Sequence, residues 1–240
     1  METLRGKVAL VTGGSRGIGL AIARGLVAGG ANVAVTGLSS AHLSSARHAI
    51  EAAGPGSVET LQADVRRAED VTRTIDATVA RFGGLDFLIN NAGIGVFKPV
   101  ADMSRDEWAS IIDTNLTGVF YACHAAIPHL RTRGGGYIIN ISSLAGKNSF
   151  AGAAAYCASK AGLNAFSEAL MQEVRYDGIR VSYVMPGSVA TGFNNGDETK
   201  GADWKTSSDD VAEVVIGLLQ SHPRSIPSRV EIRPSRPPRK

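Results

Sequence analysis

Lys7-Val-Ala-Leu-Val-Thr-Gly-Gly-Ser-Arg-Gly-Ile-Gly19 joins a short β-rich run to a glycine turn and the opening of a helix. Lys7 to Thr12 is apolar and β-branched, and Ile18 to Ala28 has helical periodicity. Gly13, Gly17 and Gly19 allow tight turning and close backbone approach. The N-terminus of the helix that follows offers unpaired N–H groups and a positive dipole end, which suit a pyrophosphate. A glycine turn by itself can be only a turn. Between a strand and a helix it predicts a nucleotide site.

Outward from this stretch, apolar runs and helical patterns alternate to the end of the chain. Strands are expected at Asn32 to Thr36, Val58 to Ala63, Leu85 to Asn90, Tyr137 to Ile141, Ile179 to Val184 and Arg229 to Ile232. Helices are expected at Ala41 to Ala53, Ala68 to Phe82, a long one opened by Ser104 with Glu107 in a capping box, Tyr156 to Tyr176, and Ser207 to Leu219. The strands are continuously apolar, as in a parallel sheet covered on both faces. With right-handed crossovers this predicts an α/β fold: a doubly wound, seven-stranded parallel (Rossmann) sheet with helices on both faces. One domain over residues 1–240 is expected. Residues 192–208 read as a polar loop over the substrate, and 233–240 as a basic, proline-rich tail.

Of the 240 residues, 44% are hydrophobic, enough for one substantial core. No apolar run approaches the ~18 residues of a membrane span, and no secretory leader is read after Met1. Cys123 and Cys157 both fall in expected helices, which suits buried thiols in a reducing, cytoplasmic setting. The net charge of +3 is concentrated at one end: from Ser221 onward, Arg224, Arg229, Arg233, Arg236, Arg239 and Lys240 face only Glu231. The body is therefore slightly acidic and is no polyanion binder. The tail reads as a solvated end, and neither nucleic acid nor a metal is expected.

In such a sheet the chemistry lies just past the strands' carboxyl ends. After the second strand, Thr36-Gly-Leu-Ser-Ser40 has no acid to hold ribose hydroxyls. Arg16 can instead pair with a phosphate through its guanidinium fork, or stand as a solvated turn residue. Leu38 brings no charge, whereas Ser39 and Ser40 can donate hydrogen bonds. Asp64-Val65 follows the third strand, and Asp64 can cap the next helix. Asn90-Asn-Ala-Gly93 follows the fourth, where asparagines can tie neighbouring loops and Ala92-Gly93 leaves room for a ring. Ser143 follows the fifth. Tyr156 and Lys160, four apart, share a helix face. An ammonium near a phenol would draw its pKa down from ~10, making Tyr156 a proton donor or acceptor. Pro186-Gly-Ser-Val-Ala-Thr191 follows the sixth strand.

The glycine spacing T-G-x-x-x-G-x-G, the Asn-Asn-Ala-Gly run, Asn115-Leu-Thr-Gly118, the Ser143…Tyr156-x-x-x-Lys160 set and the Pro186-Gly turn occur in order. Together they resemble the short-chain dehydrogenase/reductase family, in particular its 3-oxoacyl-carrier-protein reductase-like members, over roughly residues 5–192. The resemblance implies a reductase or dehydrogenase of carbonyls and alcohols, with Asn115, Ser143, Tyr156 and Lys160 as a catalytic tetrad. It implies a dinucleotide held by Gly13, Ser15, Arg16, Gly17, Ile18 and Gly19 and, further on, by Leu38, Ser39, Asp64 and Val65. Asn91, Ala92, Gly93, Tyr156, Lys160, Pro186, Gly187, Val189 and Thr191 would complete the site. Asp64 would meet the adenine amino group, Asn115 would link a water chain to Lys160, and Val189 and Thr191 would meet the nicotinamide. With Arg16 and no acid after the second strand, NADP(H) is expected before NAD(H). A 3-oxoacyl thioester is one implied substrate; another small ketone, a quinone or a sugar-derived carbonyl is the alternative, with Ile94, Val96, Phe150 and Met185 as apolar contacts. A catalytically silent NADP sensor is the competing class. The end of the chain lacks the family's Asp-Gly-Gly turn, so a homodimer or homotetramer is expected without that contact.

Overall fold

The computed structural model describes residues 3–193, 199 and 201–238. Seven strands form one parallel sheet: β1 (Val8–Val11), β2 (Asn32–Gly37), β3 (Val58–Gln62), β4 (Phe87–Asn90), β5 (Gly136–Ile141), β6 (Ile179–Pro186) and β7 (Arg229–Ile232). Their spatial order is β3-β2-β1-β4-β5-β6-β7. Every residue of β1, β4 and β6 is buried, so these strands are apolar on both faces except at Asn90, Arg180 and Ser182, whose side chains donate hydrogen bonds within the fold. The chain winds outward from β1 in one direction through β3, then returns to β1's other side with β4. At that reversal the loops after β1 and β4 part and leave a crevice.

Helices cover both faces. On one lie α1 (Gly17–Ala28), α2 (Ser40–Glu51) and α7 (Ser208–Leu219), around Ile22, Leu26, Ile50 and Val215. On the other lie α3 (Ala68–Phe82), α4 (Arg105–Ile112), α5 (Gly118–Thr132) and α6 (Ala154–Val174), around Ile75, Leu130, Leu163 and Leu170. Capping boxes open α4 at Ser104/Glu107 and α7 at Ser207/Asp210, where the Ser-x-x-acid patterns place them.

The long helix expected from Ser104 is broken. Between α4 and α5 the chain makes a π turn over Asp113–Thr117, a local widening common at functional sites. Asp64 does not cap α3. The N-cap position is Arg67, with no side-chain cap bond, and the Asp64 carboxylate is occupied by Arg66. Cys123 and Cys157 are buried, and burial pushes the Cys123 thiol up to about 12, so it stays protonated. Among the described residues no helix is long and apolar enough to cross a membrane, and no group of side chains could hold a metal ion. Val189 pairs with Thr206 in an isolated parallel bridge, which joins the ends of the polar segment after β6. Within the loop expected at 192–208, residues 194–198 and 200 lie outside the described residues, as do Arg239 and Lys240 of the tail.

The amino end of the sheet's central strands is anchored by one buried carboxylate. Asp86 accepts from the Val8 N–H at 2.9 Å, Lys7 Nζ at 3.2 Å and Arg133 Nε at 3.3 Å, tying β1, β4 and the end of α5 together. Its removal leaves a buried N–H without an acceptor. Asp86→Ala is expected to lower stability by about 2 kcal/mol in urea unfolding. Cofactor affinity should be unaffected, because Asp86 lies at the opposite end of the sheet from the crevice.

Candidate active site

The crevice opens into a cleft of about 1100 Å³ along the carboxyl ends of the strands. Its floor is made by one cross-tie. Thr12 Oγ1 accepts the N–H groups of Asn91 (3.0 Å) and Ala92 (3.1 Å), and Asn91 Nδ2 donates to the carbonyls of Thr12 and Gly13, both at 3.0 Å. The two loops approach so closely that a Cβ on Gly13 would sit 2.9 Å from the Ala92 Cα, at a left-handed φ of +63°. One on Gly19 would run into Asn91 and the Gly13 carbonyl. At Gly17, with φ +55°, a Cβ would meet only Thr191, at 3.7 Å. α1 starts with no side-chain cap and no acid in its first turn, so its leading N–H groups at the cleft have no side-chain acceptor among the described residues. These are the features of a pyrophosphate cradle, and the residues fit a dinucleotide.

The cleft continues over Gly37, Leu38 and Ser39. Leu38 is 64% exposed, and among the described residues no acid lines this end beyond Asp64. Ser39 caps α2, its Oγ accepting from the His42 N–H. Exposed Arg16 lines the same end. Asp64 is gripped by Arg66, whose Nε lies 2.9 and 3.0 Å from the two carboxylate oxygens, with Nη2 2.5 Å from one of them. This hydrogen-bonded pairing holds the Asp64 carboxyl below the usual range. Arg66 and His42 both line the cleft and escaped the sequence reading, although Asp64-x-Arg66 is a spacing at which the two can meet.

At the other end, four side chains from three segments converge. Ser143 caps the short 3₁₀ turn Leu144–Gly146, its Oγ accepting from the Ala145 N–H at 3.1 Å. Tyr156 stands in the first turn of α6, and Lys160 Nζ lies 5.9 Å from its ring centroid. Lys160 is 4% exposed and donates to the Ile141 carbonyl at 2.8 Å. Asn115 sits in the π turn. Its Oδ1 accepts from the Ile94 N–H (2.8 Å), and its Nδ2 donates to the Ile94 carbonyl (2.9 Å) and to Ser159 Oγ (3.0 Å). Gly93 passes between them: a Cβ there would lie 3.3 Å from Asn115 Oδ1 and 3.6 Å from Lys160 Nζ. Asn115 therefore ties the loop after β4 to α6, a role its sequence context did not disclose.

The electrostatics differ from the sequence expectation. Burial raises the Tyr156 phenol above its ordinary value, and the Ser143 hydroxyl beside it pulls the other way. Burial also lowers Lys160 to about 8. Both shifts have one cause: the enclosed end of the cleft disfavours the phenolate and the ammonium alike. The ammonium is turned to the Ile141 carbonyl rather than to the phenol hydroxyl. Ser142 stands beside Ser143 after β5 and is buried. Its Oγ lies 3.4 Å from the Lys160 carbonyl but chiefly donates to Asn164 Oδ1 at 2.5 Å, and Asn164 is a further residue the sequence reading missed.

Pro186, Gly187, Val189 and Thr191, at the end of β6 and just beyond it, all line the cleft. Of the expected apolar contacts, Ile94 and Phe150 line it. Met185 is 1% exposed and lies behind the wall, its Sδ taken by Asn164 Nδ2, and Val96 is not in the lining either. Phe97 and Phe193 take those places.

The Lys160 shift has a measurable consequence. A base depressed in the fold binds fewer protons there than in the unfolded chain, between about 8 and its ordinary 10.5. Its destabilisation is therefore complete at pH 7 and fades as pH rises through that window. Lys160→Met should melt higher than the parent at pH 7, on the order of 2 kcal/mol once the unpaired Ile141 carbonyl is allowed for. The difference should narrow toward pH 10 in thermal melts of the cofactor-free proteins.

Known proteins resemble the whole chain. The family model described as short chain dehydrogenase matches residues 7–201. An uncharacterised oxidoreductase of Staphylococcus saprophyticus is 34% identical over 98% of this chain and all of its own length. The 3-oxoacyl-[acyl-carrier-protein] reductase of Chlamydia pneumoniae is 36% identical over 90% of each chain. A metagenomic short-chain oxidoreductase crystallised in complex with NADP superposes with a TM-score of 0.86 at 37% identity, covering 98% of this chain and 100% of its own. With the sheet order, the glycine cradle and the Ser143, Tyr156 and Lys160 cluster on one cleft, the chain belongs to the short-chain dehydrogenase family of oxidoreductases.

Proposed function

We propose that this oxidoreductase is an NADP(H)-dependent carbonyl reductase and alcohol dehydrogenase. The observation that carries the reading is the convergence of Ser143, Tyr156, Lys160 and Asn115 at one end of a cleft whose other end is a pyrophosphate cradle. A bound nicotinamide dinucleotide supplies the hydride in reduction and accepts it in oxidation. Backbone N–H groups of Ser15, Gly17, Ile18 and Gly19 hold its pyrophosphate. Arg16 and Ser39 receive a 2′-phosphate, with no carboxylate after β2 to repel it. Asp64 and Val65 take the adenine, Asn91 to Gly93 the inner ribose, and Pro186, Gly187, Val189 and Thr191 the nicotinamide. The NADP in the related metagenomic structure supports this choice over NAD.

Ser143 holds the substrate oxygen by hydrogen bond. Tyr156 gives that oxygen its proton as negative charge develops on it. Because burial raises the phenol, Tyr156 is fully protonated near neutral pH, the state that reduction requires. Lys160, anchored on the Ile141 carbonyl, holds the nicotinamide ribose, and Asn115 keeps the Gly93–Ile94 backbone and α6 in register around it. The chain acts as a single catalytic domain in a homo-oligomer, with residues 192–208 over the substrate. The Chlamydia pneumoniae relative supports a 3-oxoacyl thioester among the carbonyls to test.

Absorbance of the reduced cofactor across a carbonyl panel tests the proposal: NADPH is consumed, and NADH is poorly used. NADPH that binds and is never consumed would identify a sensor instead. Tyr156→Phe should cut kcat by at least about a hundredfold and leave NADPH affinity near that of the parent. Arg16→Ala should weaken NADPH by roughly tenfold and NADH little. Equal losses for both cofactors would overturn the NADP assignment.

A further inference from the structure

Above Tyr156 the cleft is walled by aromatic rings. Phe97 meets the Tyr156 ring edge-on, at 90° and 5.6 Å between centroids. Phe150 lies 5.9 Å from Phe97, tilted by 54°, and Phe193 lies 5.7 Å from Tyr156, also tilted by 54°. The three phenylalanines come from three loops, those after β4, β5 and β6. Phe97 and Phe193 meet over Gly95, where a Cβ would lie 3.0 Å from the Phe193 ring and 3.2 Å from the Phe97 ring. Gly95 is thus the floor that lets the two rings close in. All three remain substantially exposed to the cleft: Phe97 by 43%, Phe150 by 53% and Phe193 by 38%. Leu144 and Ile94 add aliphatic surface, and among the described residues no carboxylate lines this end.

Three rigid faces, two of them against the proton-donating phenol and the third packed behind Phe97, favour a particular cargo. A sugar-derived carbonyl would bury hydroxyls against rings that cannot pair with them. A flexible acyl chain would lose rotamer freedom to lie there. A flat ring loses almost none, and it can stack on one face and meet another edge-on. We infer that the substrate is a ketone or secondary alcohol whose reacting carbon is carried on an aryl or cyclic body, and that Phe97, Phe150 and Phe193 are its specificity-determining residues. This rests on the carbonyl reductase reading above and narrows it.

The test compares benzylacetone with methyl octyl ketone, methyl ketones of equal carbon number and unconjugated carbonyls, with acetoacetyl thioester as a third substrate. The same two ketones are titrated by calorimetry into NADPH-loaded Tyr156→Phe, which reads binding without turnover. The expected result is a KM for benzylacetone about tenfold below that of methyl octyl ketone, and a matching difference in calorimetric affinity. Phe97→Ala and Phe150→Ala, each retaining the parent's melting temperature, should reduce that preference severalfold, and Phe97→Tyr should keep it. Equal affinity for the two ketones, or a preference that survives both alanine variants, overturns the inference. Tighter handling of acetoacetyl thioester than of benzylacetone overturns it as well. If nothing on the panel is reduced, the reductase reading fails by itself. Calorimetry then still decides the aromatic slot: ring-selective binding that Phe97→Ala abolishes upholds it, and no selective binding overturns it.

Discussion

Everything in the cleft depends on the hydrogen-bonded seam between the loop after β1 and the loop after β4. Thr12 Oγ1 takes two backbone N–H groups of the neighbouring loop, and the Asn91 amide returns two bonds to the carbonyls of Thr12 and Gly13. A parallel sheet that reverses its strand order must leave these loops unsupported by further strands. Their polar groups would otherwise meet water or remain unpaired. The seam satisfies them and pulls the loops to backbone contact, which only glycine at positions 13 and 19 permits. The dinucleotide cradle and the entry of the chain toward Gly93 are set by the same four bonds.

From Gly93 onward the constraint passes into the reaction end. Asn115 exists in its position because the helix widens by a π turn there, which turns its amide toward the Ile94 backbone and Ser159. Lys160 is fixed by a strand carbonyl and Ser143 by its own 3₁₀ turn. Each polar group is held by backbone, so the cluster is assembled before any ligand arrives. This preorganisation is the condition for electrostatic stabilisation of a developing charge.

The sheet was legible because its strands are buried on both faces and so must read as unbroken apolar runs, and because capping boxes mark helix starts chemically. Gly13, Gly17, Gly19, Tyr156 and Lys160 were legible because their spacing is itself the geometry: a turn in one case, a helix face in the other. What stayed hidden depends on contacts distant in sequence. The π turn leaves no composition signal, since Asp113 to Thr117 would sit equally well in a regular helix. Met185 looks like a lining residue from its place at a strand end, but the pleat turns it behind the wall, and Phe97 and Phe193 take its role from loops with no periodicity to read. The direction of the Tyr156 shift was misjudged because a charge four residues away is visible in sequence, and the burial that raises the phenol is not.

The bridge between Val189 and Thr206 brings together the two ends of the long segment after β6, with the Ala190 N–H donating to the Thr206 carbonyl at 2.9 Å. Chain closure at that point is already accomplished by the scaffold. The entropy of closing a loop grows only with the logarithm of its length, about 0.6 kcal/mol per doubling. Residues can therefore be inserted or deleted between the two bridge positions with little effect on the sheet beneath. The bridge thus sets the segment between its two positions apart from the sheet and the cleft floor, and a lineage or a designer can rewrite that one stretch of chain while the Thr12–Asn91 seam and the Lys160 anchor stay in place.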